Sequence, residues 1–582
     1  MRITGLSLTN FRSFSATQKL DFAQVTLLFG PNSVGKSSVL LALFYLQQIL
    51  EKGQCDPVRI EALGDKHIGG FLNLVNARDQ KKEITIRVDF SKSGDIGSTY
   101  AEIPDLIDED LGFTPDSPSA DADDISVEFY IGWSEPERTA YVSRCLIWLD
   151  EEIIVEATSD SGLKQPVISF INYDHPLLAE AYDIAPQTSL DGMGYVSEFH
   201  QAITEPRMTI DSPQGYGVAT ESGSGRYFHH VPIGYRGKAG ALPMLGQRLR
   251  TSLSLDSDLH CNRAEEILSD ILVAPLDNLL ELLSDSLCIG PLRTVPDSLY
   301  QPNPYPQQKD WYSGEAAWDT LESTFLTTNE DINHWIGEKA GLDLGYRLVY
   351  KIEQGQTRYL SFSGEISTLD DAYALEDAIG DELSITISEE DLAENPDAEQ
   401  VPLSNDVFRK AKADIGGEIE STLYLQKKEH KYRRIALWDV RNEIEVSASE
   451  IGVGVSQLLP LVVAAHTRRK GVIACEQPEL HVHPRVQVGV GDLLTQIESD
   501  ASFLIETHSE HLILRILRRI RESTEGELPE SLVRVDPSDI SILYMEPSPD
   551  GVSVSRIEVD EDGEFVSKWP DGFFSERRKE LM

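Results

Sequence analysis

Cysteine is scarce in this chain. Only five occur in 582 residues, Cys55, Cys145, Cys261, Cys288 and Cys475, scattered and never in a C-x-x-C pair. That spacing argues against a disulfide framework and a paired-cysteine zinc site, and it points to a reducing, cytoplasmic compartment. Basic charge is also short: 51 Lys and Arg stand against 97 Asp and Glu, a formal net charge of −46. Such a surface repels nucleic acid on average, so a nucleic-acid partner would need a local basic patch. No apolar run approaches the ~20 residues of a membrane-spanning helix. The opening Met1-Arg2-Ile3-Thr4 lacks the apolar core of a secretion signal. Sustained heptads are missing too, which excludes a long coiled-coil arm. What remains is a globular composition long enough for two or three cores.

The most informative stretch runs from Val25 to Ser38. Val25-Thr26-Leu27-Leu28-Phe29 reads as a buried strand, followed by a glycine-bounded loop and a helix opening on Ser37 and Ser38. Its spacing, Gly30-x-x-x-x-Gly35-Lys36-Ser37, is that of a phosphate-binding P-loop. The glycines let successive backbone N–H groups face one point, and the helix start adds partial positive charge there. Asn32, Ser33, Gly35, Lys36, Ser37 and Ser38 are therefore the candidate phosphate contacts. Lys36 supplies the mobile cation for the β- and γ-phosphates, and the Ser37 hydroxyl can ligate Mg²⁺. The expected ligand is a nucleoside triphosphate, ATP, with Mg²⁺.

Around this stretch the chain divides unevenly. Residues 1–90 alternate apolar and polar on either side of the P-loop, as in Ile84-Thr85-Ile86-Arg87-Val88-Asp89-Phe90, and read as strands of one half of a nucleotide core. Residues 91–284 are expected to form an insertion or lid, with a solvated acidic segment over about 91–124, strand-like patterns over 125–175 and a helix near Ala264 to Leu283. The insertion is expected to continue through 285–430, with a second acidic stretch over about 364–400. Residues 431–530 supply the other half of the core, and 531–582 a C-terminal region. The expected fold class is α/β: a mixed β-sheet flanked by helices, interrupted by a large α+β insertion.

That second half begins with Val472-Ile473-Ala474-Cys475-Glu476, a short apolar strand ending on a carboxylate that can hold Mg²⁺ beside Ser37. A further strand, Phe503-Leu504-Ile505-Glu506-Thr507-His508, places His508 where a γ-phosphate sensor would sit. Upstream, Gly452-Val453-Gly454-Val455-Ser456-Gln457 is a small-residue loop entering an apolar helix, a second anion-binding surface through Gly452, Gly454 and Ser456. His481 and His483 lie beside Glu479, but no third ligand or supporting shell is identifiable for a metal there. Three basic groups, Arg468-Arg469-Lys470, Lys427-Lys428 with Lys431, Arg433 and Arg434, and Arg515, Arg518, Arg519 and Arg521, are either solvated faces or local nucleic-acid patches.

Together these motifs resemble an ABC-type ATPase head of the SMC, RecF and OLD-like group. The resemblance rests on Leu8-Thr9-Asn10-Phe11-Arg12-Ser13-Phe14 before the P-loop (Walker A), Gly452 to Gln457 as signature loop, Glu476-Gln477-Pro478-Glu479 as Walker B, and Thr507-His508-Ser509 as switch. Ile289-Gly290-Pro291-Leu292-Arg293, Asp562-Gly563-Glu564-Phe565 and Trp569-Pro570-Asp571-Gly572-Phe573-Phe574 resemble a bacterial subfamily of ATPases with a C-terminal domain of unknown function. The resemblance implies a head-to-head homodimer, or a higher oligomer of heads, in which one subunit's P-loop and the other's signature loop clamp one γ-phosphate. It also implies a general base after the Walker-B acid, where this chain carries Gln477. An amide orients a water but takes up no proton, so slow hydrolysis is expected, with Glu476 or Glu479 as fallback base and His508 as sensor.

Standalone heads of this kind commonly act in bacterial antiphage systems, as in Septu-like pairs, where the ATPase controls a separate effector such as a nuclease. The acidic surface suits a protein partner. Only 74 residues follow His508, too few for the Toprim nuclease of OLD proteins. Asp560-Glu561-Asp562 is read as a solvated acidic turn rather than that nuclease's acidic pair. The alternative is a RecF- or SMC-like DNA-repair ATPase, and Gln477 leaves room for a non-catalytic nucleotide-gated scaffold. Arg293 is expected to make a structural salt bridge, with contact to the nucleotide or a partner as the alternative.

Overall fold

The computed structural model describes residues 1–100, 117–172, 175–178, 232–254, 258–296, 300–337, 341–354, 356–363, 400–401, 420–426, 433–447, 450–497, 499–549 and 551–566. In chain order they begin with β1 (Arg2–Thr9), β2 (Gln18–Asp21), β3 (Val25–Phe29), α1 (Lys36–Lys52) and β4 (Ile84–Ser91). There follow β5 (Asp124–Ser134), β6 (Thr139–Leu149), β7 (Glu152–Thr158), β8 (Val167–Ile171) and β9 (Ile233–Gly234). Two helices, α2 (Asp258–Leu272) and α3 (Ala274–Asp285), lead into β10 (Leu287–Ile289) and α4 (Glu315–Gly337). Next come β11 (Tyr346–Gln354), β12 (Gln356–Ser363), β13 (Gln400–Val401), β14 (Glu420–Gln426), β15 (Arg433–Asp439) and β16 (Ile444–Val446). The rest is α5 (Val453–Thr467), β17 (Val472–Glu476), α6 (Pro484–Gln496), β18 (Ser502–Glu506), α7 (Glu510–Glu525), β19 (Ile540–Ser548) and β20 (Gly551–Ile557).

Three larger sheets organise these elements. The nucleotide sheet has the order β10-β17-β18-β3-β19-β20, parallel throughout except for the antiparallel edge pair β19–β20. All five residues of β3, of β17 and of β18 are buried. Runs such as Val-Thr-Leu-Leu-Phe suit a sheet covered on both faces, because neither side of the pleat meets water. Alternate residues then serve two different cores. Leu28, Ala474, Leu504 and Leu543 pack with α1, α2 and α3. Leu27, Cys475, Ile505 and Ile542 pack with α4, α5, α6 and α7.

The second sheet is antiparallel, in the order β9-β8-β7-β6-β5-β4-β1-β2. Here alternation is visible in the burial itself, as β4 buries every second residue from Ile84 to Phe90. The boundary expected at residue 90 passes through this sheet, since β4 pairs with β1 on one side and β5 on the other. The strands expected in a separate insertion thus complete the N-terminal half. The described flanks of the first acidic stretch are solvated in part, with Ser93 to Ile96, Asp121, Asp123 and Asp124 exposed, but they are also anchored. Ser117 and Ser119 are buried, and Asp270 of α2 accepts from Ser117 Oγ at 2.7 Å and from the Ser119 N–H at 3.0 Å. Lys92, also buried, donates to the Ser119 carbonyl at 2.7 Å. Buried polar side chains from outside the turn, Asp270 and Lys92, hold this segment down by satisfying its backbone and hydroxyl groups.

The third sheet, β13-β14-β12-β11-β15-β16, is antiparallel and runs across the boundary expected at 430. The boundary at 284 falls close to the end of α3, where β10 joins the nucleotide sheet. The C-terminal region is not separate either: β19 lies directly against β3. Residues 101–116, most of the second acidic stretch, Lys427, Lys428, Lys431 and the segment Trp569 to Phe574 lie outside the described residues. Asp560 forms an exposed turn, its carboxylate accepting from the N–H groups of Asp562 and Glu564.

Candidate nucleotide site

The parallel sheet brings its chemistry to one edge. β3 ends at the P-loop, while β17 and β18 end on Glu476 and Glu506, which face each other in register. Gly30 is left-handed at φ 142°, and a Cβ there would lie 2.2 Å from the Met545 carbonyl oxygen of β19. Gly35 has φ 125°, and its Cβ would lie 2.4 Å from Ser13 Oγ. Both glycines are thus dictated by backbone conformation and by close neighbours. Helix α1 starts with no capping side chain and no acidic residue of its own in its first turn, so its N-terminal N–H groups have no partner from the helix's own side chains.

Lys36 is buried and folded back on the loop, its Nζ donating to the Gly30 carbonyl at 2.9 Å and the Pro31 carbonyl at 3.0 Å. Burial lowers its pKa, against the opposing pull of Glu506 and Glu479. Ser37 Oγ donates at 2.7 Å to Glu506 Oε2, whose Oε1 lies 3.9 Å from Lys36 Nζ. Burial pushes the Glu506 pKa up, Ser37 pulls it down, and the charge of Glu476 adds to the rise. Glu476 Oε1 accepts from the Tyr312 hydroxyl at 3.1 Å and lies 3.9 Å from Lys66 Nζ. Gln477 adopts a left-handed φ of 46° and donates its N–H to the Glu506 carbonyl at 2.7 Å, pinning the turn after β17 to the end of β18.

Glu479 takes a different part from that of a free base. Its carboxylate accepts from Thr507 Oγ1 at 2.8 Å and from the His508 N–H at 2.6 Å, so it braces the switch segment. Burial raises its pKa while these hydrogen bonds oppose the rise. Burial, with Lys36 nearby, lowers that of His508 and favours neutral imidazole. His508 Nε2 is buried with no hydrogen-bond partner. Ser509 caps α7 through the Leu512 N–H at 3.1 Å.

The signature segment is split in accessibility. Cβ atoms built at Gly452 and Gly454 meet nothing within 4 Å, and the intervening Val453 is exposed. Ser456 is buried, however, and its hydroxyl returns to the Val453 carbonyl at 2.9 Å. Among the described residues, no hydrogen bond or ion pair joins Gly452, Gly454 or Ser456 to the P-loop of the same chain. Asn32 and Ser33 are exposed on the loop, and Ser33 is left-handed at φ 63°.

Arg293 differs from expectation. Instead of a salt bridge, this buried guanidinium donates to the carbonyls of Gly290 at 3.0 Å and Glu476 at 3.1 Å, to Cys475 Sγ at 3.0 Å, and to the Gln457 carbonyl of α5. It ties the signature helix to the end of the Walker-B strand. Of the two histidines beside Glu479, His483 is occupied at the start of α6, its Nδ1 accepting from the Arg485 N–H, and the described residues hold no group of three or more His, Cys, Asp or Glu side chains placed to share a metal. Within the basic groups at 468–470 and 515–521, Lys470 lies 3.5 Å from Glu281, Arg515 3.3 Å from Asp492, and Arg519 pairs with Asp492 and Glu522.

Three site residues escape sequence reading. Glu506 carried a detectable signal, because it ends an apolar strand just as Glu476 does. Lys66, on the two-residue strand Lys66–His67, and Tyr312, on the short helix Asp310–Ser313, had none. The oxygens of Ser37, Glu476 and Glu506 are the hard donors that suit Mg²⁺.

A parallel sheet with a P-loop, two carboxylate-ended strands and His508 at one edge has the architecture of an ATPase head. The family model described as "AAA ATPase domain" matches residues 1–179 and 353–513, more than half of the chain, and the chain belongs to this family. A second model, described as "Protein of unknown function (DUF3696)", matches residues 535–582. No curated protein matches the sequence. Among solved structures, the chain is similar to an SMC head bound to the C-terminal winged-helix domain of ScpA, with 11% identity, a TM-score of 0.33, and coverage of 96% of this chain and 99% of the other. It is also similar to the SMC head domain from Thermotoga maritima (8%, 0.31, 96% and 100%). A third is the Pyrococcus furiosus SMC head with an extended coiled coil, bound to the C-terminal domain of ScpA (10%, 0.30, 100% and 98%). No helix among the described residues is long and apolar enough to cross a membrane.

Proposed function

We propose that this protein binds ATP with Mg²⁺, closes around it as a homodimer, hydrolyses it slowly, and serves as a nucleotide-gated switch in a bacterial antiphage defence system, controlling a separate effector such as a nuclease. The observation that carries the nucleotide part is the convergence of Lys36, Ser37, Glu476 and Glu506 at the sheet edge. The P-loop N–H groups cradle the phosphates, and Lys36 exchanges the Gly30 and Pro31 carbonyls for phosphate oxygens. Mg²⁺, when bound, neutralises phosphate charge beside Ser37. Gln477 orients water without accepting its proton, while neutral His508, its Nε2 unpartnered, is free to sense the γ-phosphate. The open Gly452–Gly454 surface has room for a second subunit's nucleotide.

The formal charge of −46 favours a protein effector. It counts against the DNA-repair alternative, as does the pairing of Lys470, Arg515 and Arg519 with carboxylates. Lys36→Ala is expected to weaken binding of labelled ATP by about 100-fold or more. Retention of parental affinity would end this reading. Gln477→Glu is expected to raise kcat in a phosphate-release assay, and no rise would remove the explanation for slow turnover. Co-purification with the products of neighbouring genes tests the effector.

A further inference from the structure

In the sequence, Glu476 is the natural carboxylate partner for Ser37 at a nucleotide-bound cation. The fold places another carboxylate there. Ser37 Oγ lies 2.7 Å from Glu506 Oε2, whereas the hydrogen bond to Glu476 Oε1 comes from Tyr312, 3.1 Å away, with Lys66 Nζ at 3.9 Å. Two ligands at right angles on an octahedral Mg²⁺, with bonds of about 2.1 Å, sit about 3 Å apart. The Ser37–Glu506 oxygen pair already has nearly that separation. The Glu506 side chain is 9% exposed, and its Oε1 faces Lys36, the side chain that a bound phosphate would draw away. A buried carboxylate that loses its ammonium neighbour in this way needs a replacement cation.

We propose that Glu506, together with the Ser37 hydroxyl, binds the divalent cation of the nucleotide, with Glu476 held beside it by Tyr312 and Lys66 as the second carboxylate. This rests on the nucleotide-binding reading above, and it adds a site residue that sequence motifs leave unassigned.

The test measures binding of a fluorescent ATP analogue to the full chain with and without Mg²⁺, alongside the Mn²⁺ resonance of the complex. Glu506→Gln is expected to lose the affinity that Mg²⁺ adds over its own metal-free nucleotide binding, and to weaken Mn²⁺ binding about tenfold or more. Loss in both Glu506→Gln and Glu476→Gln fits two carboxylates sharing the ion. Full retention of the Mg²⁺ gain in Glu506→Gln, or loss confined to Glu476→Gln, overturns the assignment. Should Glu506→Gln fail to fold, Glu506→Asp keeps the charge one methylene shorter: weakened Mn²⁺ binding supports the role and unchanged binding refutes it. Lys36→Ala separates the two readings, because its retention of metal-free nucleotide would overturn nucleotide binding at the P-loop itself.

Discussion

The six-stranded nucleotide sheet and the eight-stranded antiparallel sheet answer to different rules. In the nucleotide sheet, β3, β17 and β18 are buried at every position, and the polar residues that matter lie where the strands end. In the antiparallel sheet, β4 alternates buried and half-exposed residues along its length. A parallel strand covered on both faces has no lateral position for a functional side chain, so its chemistry collects at the carboxyl edge. An antiparallel strand with one open face can carry polar groups anywhere without cost to its core.

The largest break in this contrast is expected at the P-loop. Gly30→Ala would force a left-handed alanine into the Met545 carbonyl of β19, and should cost about 3–5 kcal/mol in urea unfolding. Gly94, left-handed at φ 86° but with nothing within 4 Å of its Cβ, gives the comparison: its alanine variant should cost only about 1–2 kcal/mol.

A strand-by-strand scan sharpens the contrast. Phe503, Leu504 and Ile505 should each lose about 2–5 kcal/mol on truncation to alanine, because neighbours on both sides are left facing a cavity. On β4, Ile86→Ala should fall in the same range, while Thr85→Ala should stay within about 0.5 kcal/mol. Equal costs at Thr85 and Ile86 would dissolve the distinction.

A smaller effect concerns pH. Burial, then Arg469 and His334, lower His466 of α5 to about 4, even though Asp331 lies 3.9 Å away. The unfolded chain takes up this proton near pH 6.5 and the native protein does not, so the stability contribution is complete above that value and is lost as pH falls toward 4. The loss should be on the order of 2–3 kcal/mol, partly offset by Asp331, whose own pKa burial raises. Thermal melts over that range should flatten in His466→Leu.

Much of the nucleotide sheet was legible. Three short apolar runs, a glycine spacing and the strand-terminal carboxylate of Glu476 are local patterns, and each maps onto an element; Glu506 ends its strand in the same way and was passed over. The domain boundaries at 90 and 430 were less legible, because hydrogen bonds cross both and ladder partners leave no mark in the chain between them. Arg293 was expected to meet a carboxylate; it found carbonyl groups from three segments, a partnership that exists only once β10, α5 and β17 are packed.

By itself the sequence determined which residues can meet phosphate: the loop conformation at Gly30 and Gly35, the cation of Lys36 and the hydroxyl of Ser37 are all set within eight consecutive residues. Only the tertiary structure decided which carboxylate stands beside Ser37. That choice depends on the order β17-β18-β3, which seats Glu506 on the strand next to the P-loop strand and Glu476 one strand further out. Strand order is a property of the packed sheet, since segments hundreds of residues apart become neighbours only by burying their apolar faces together.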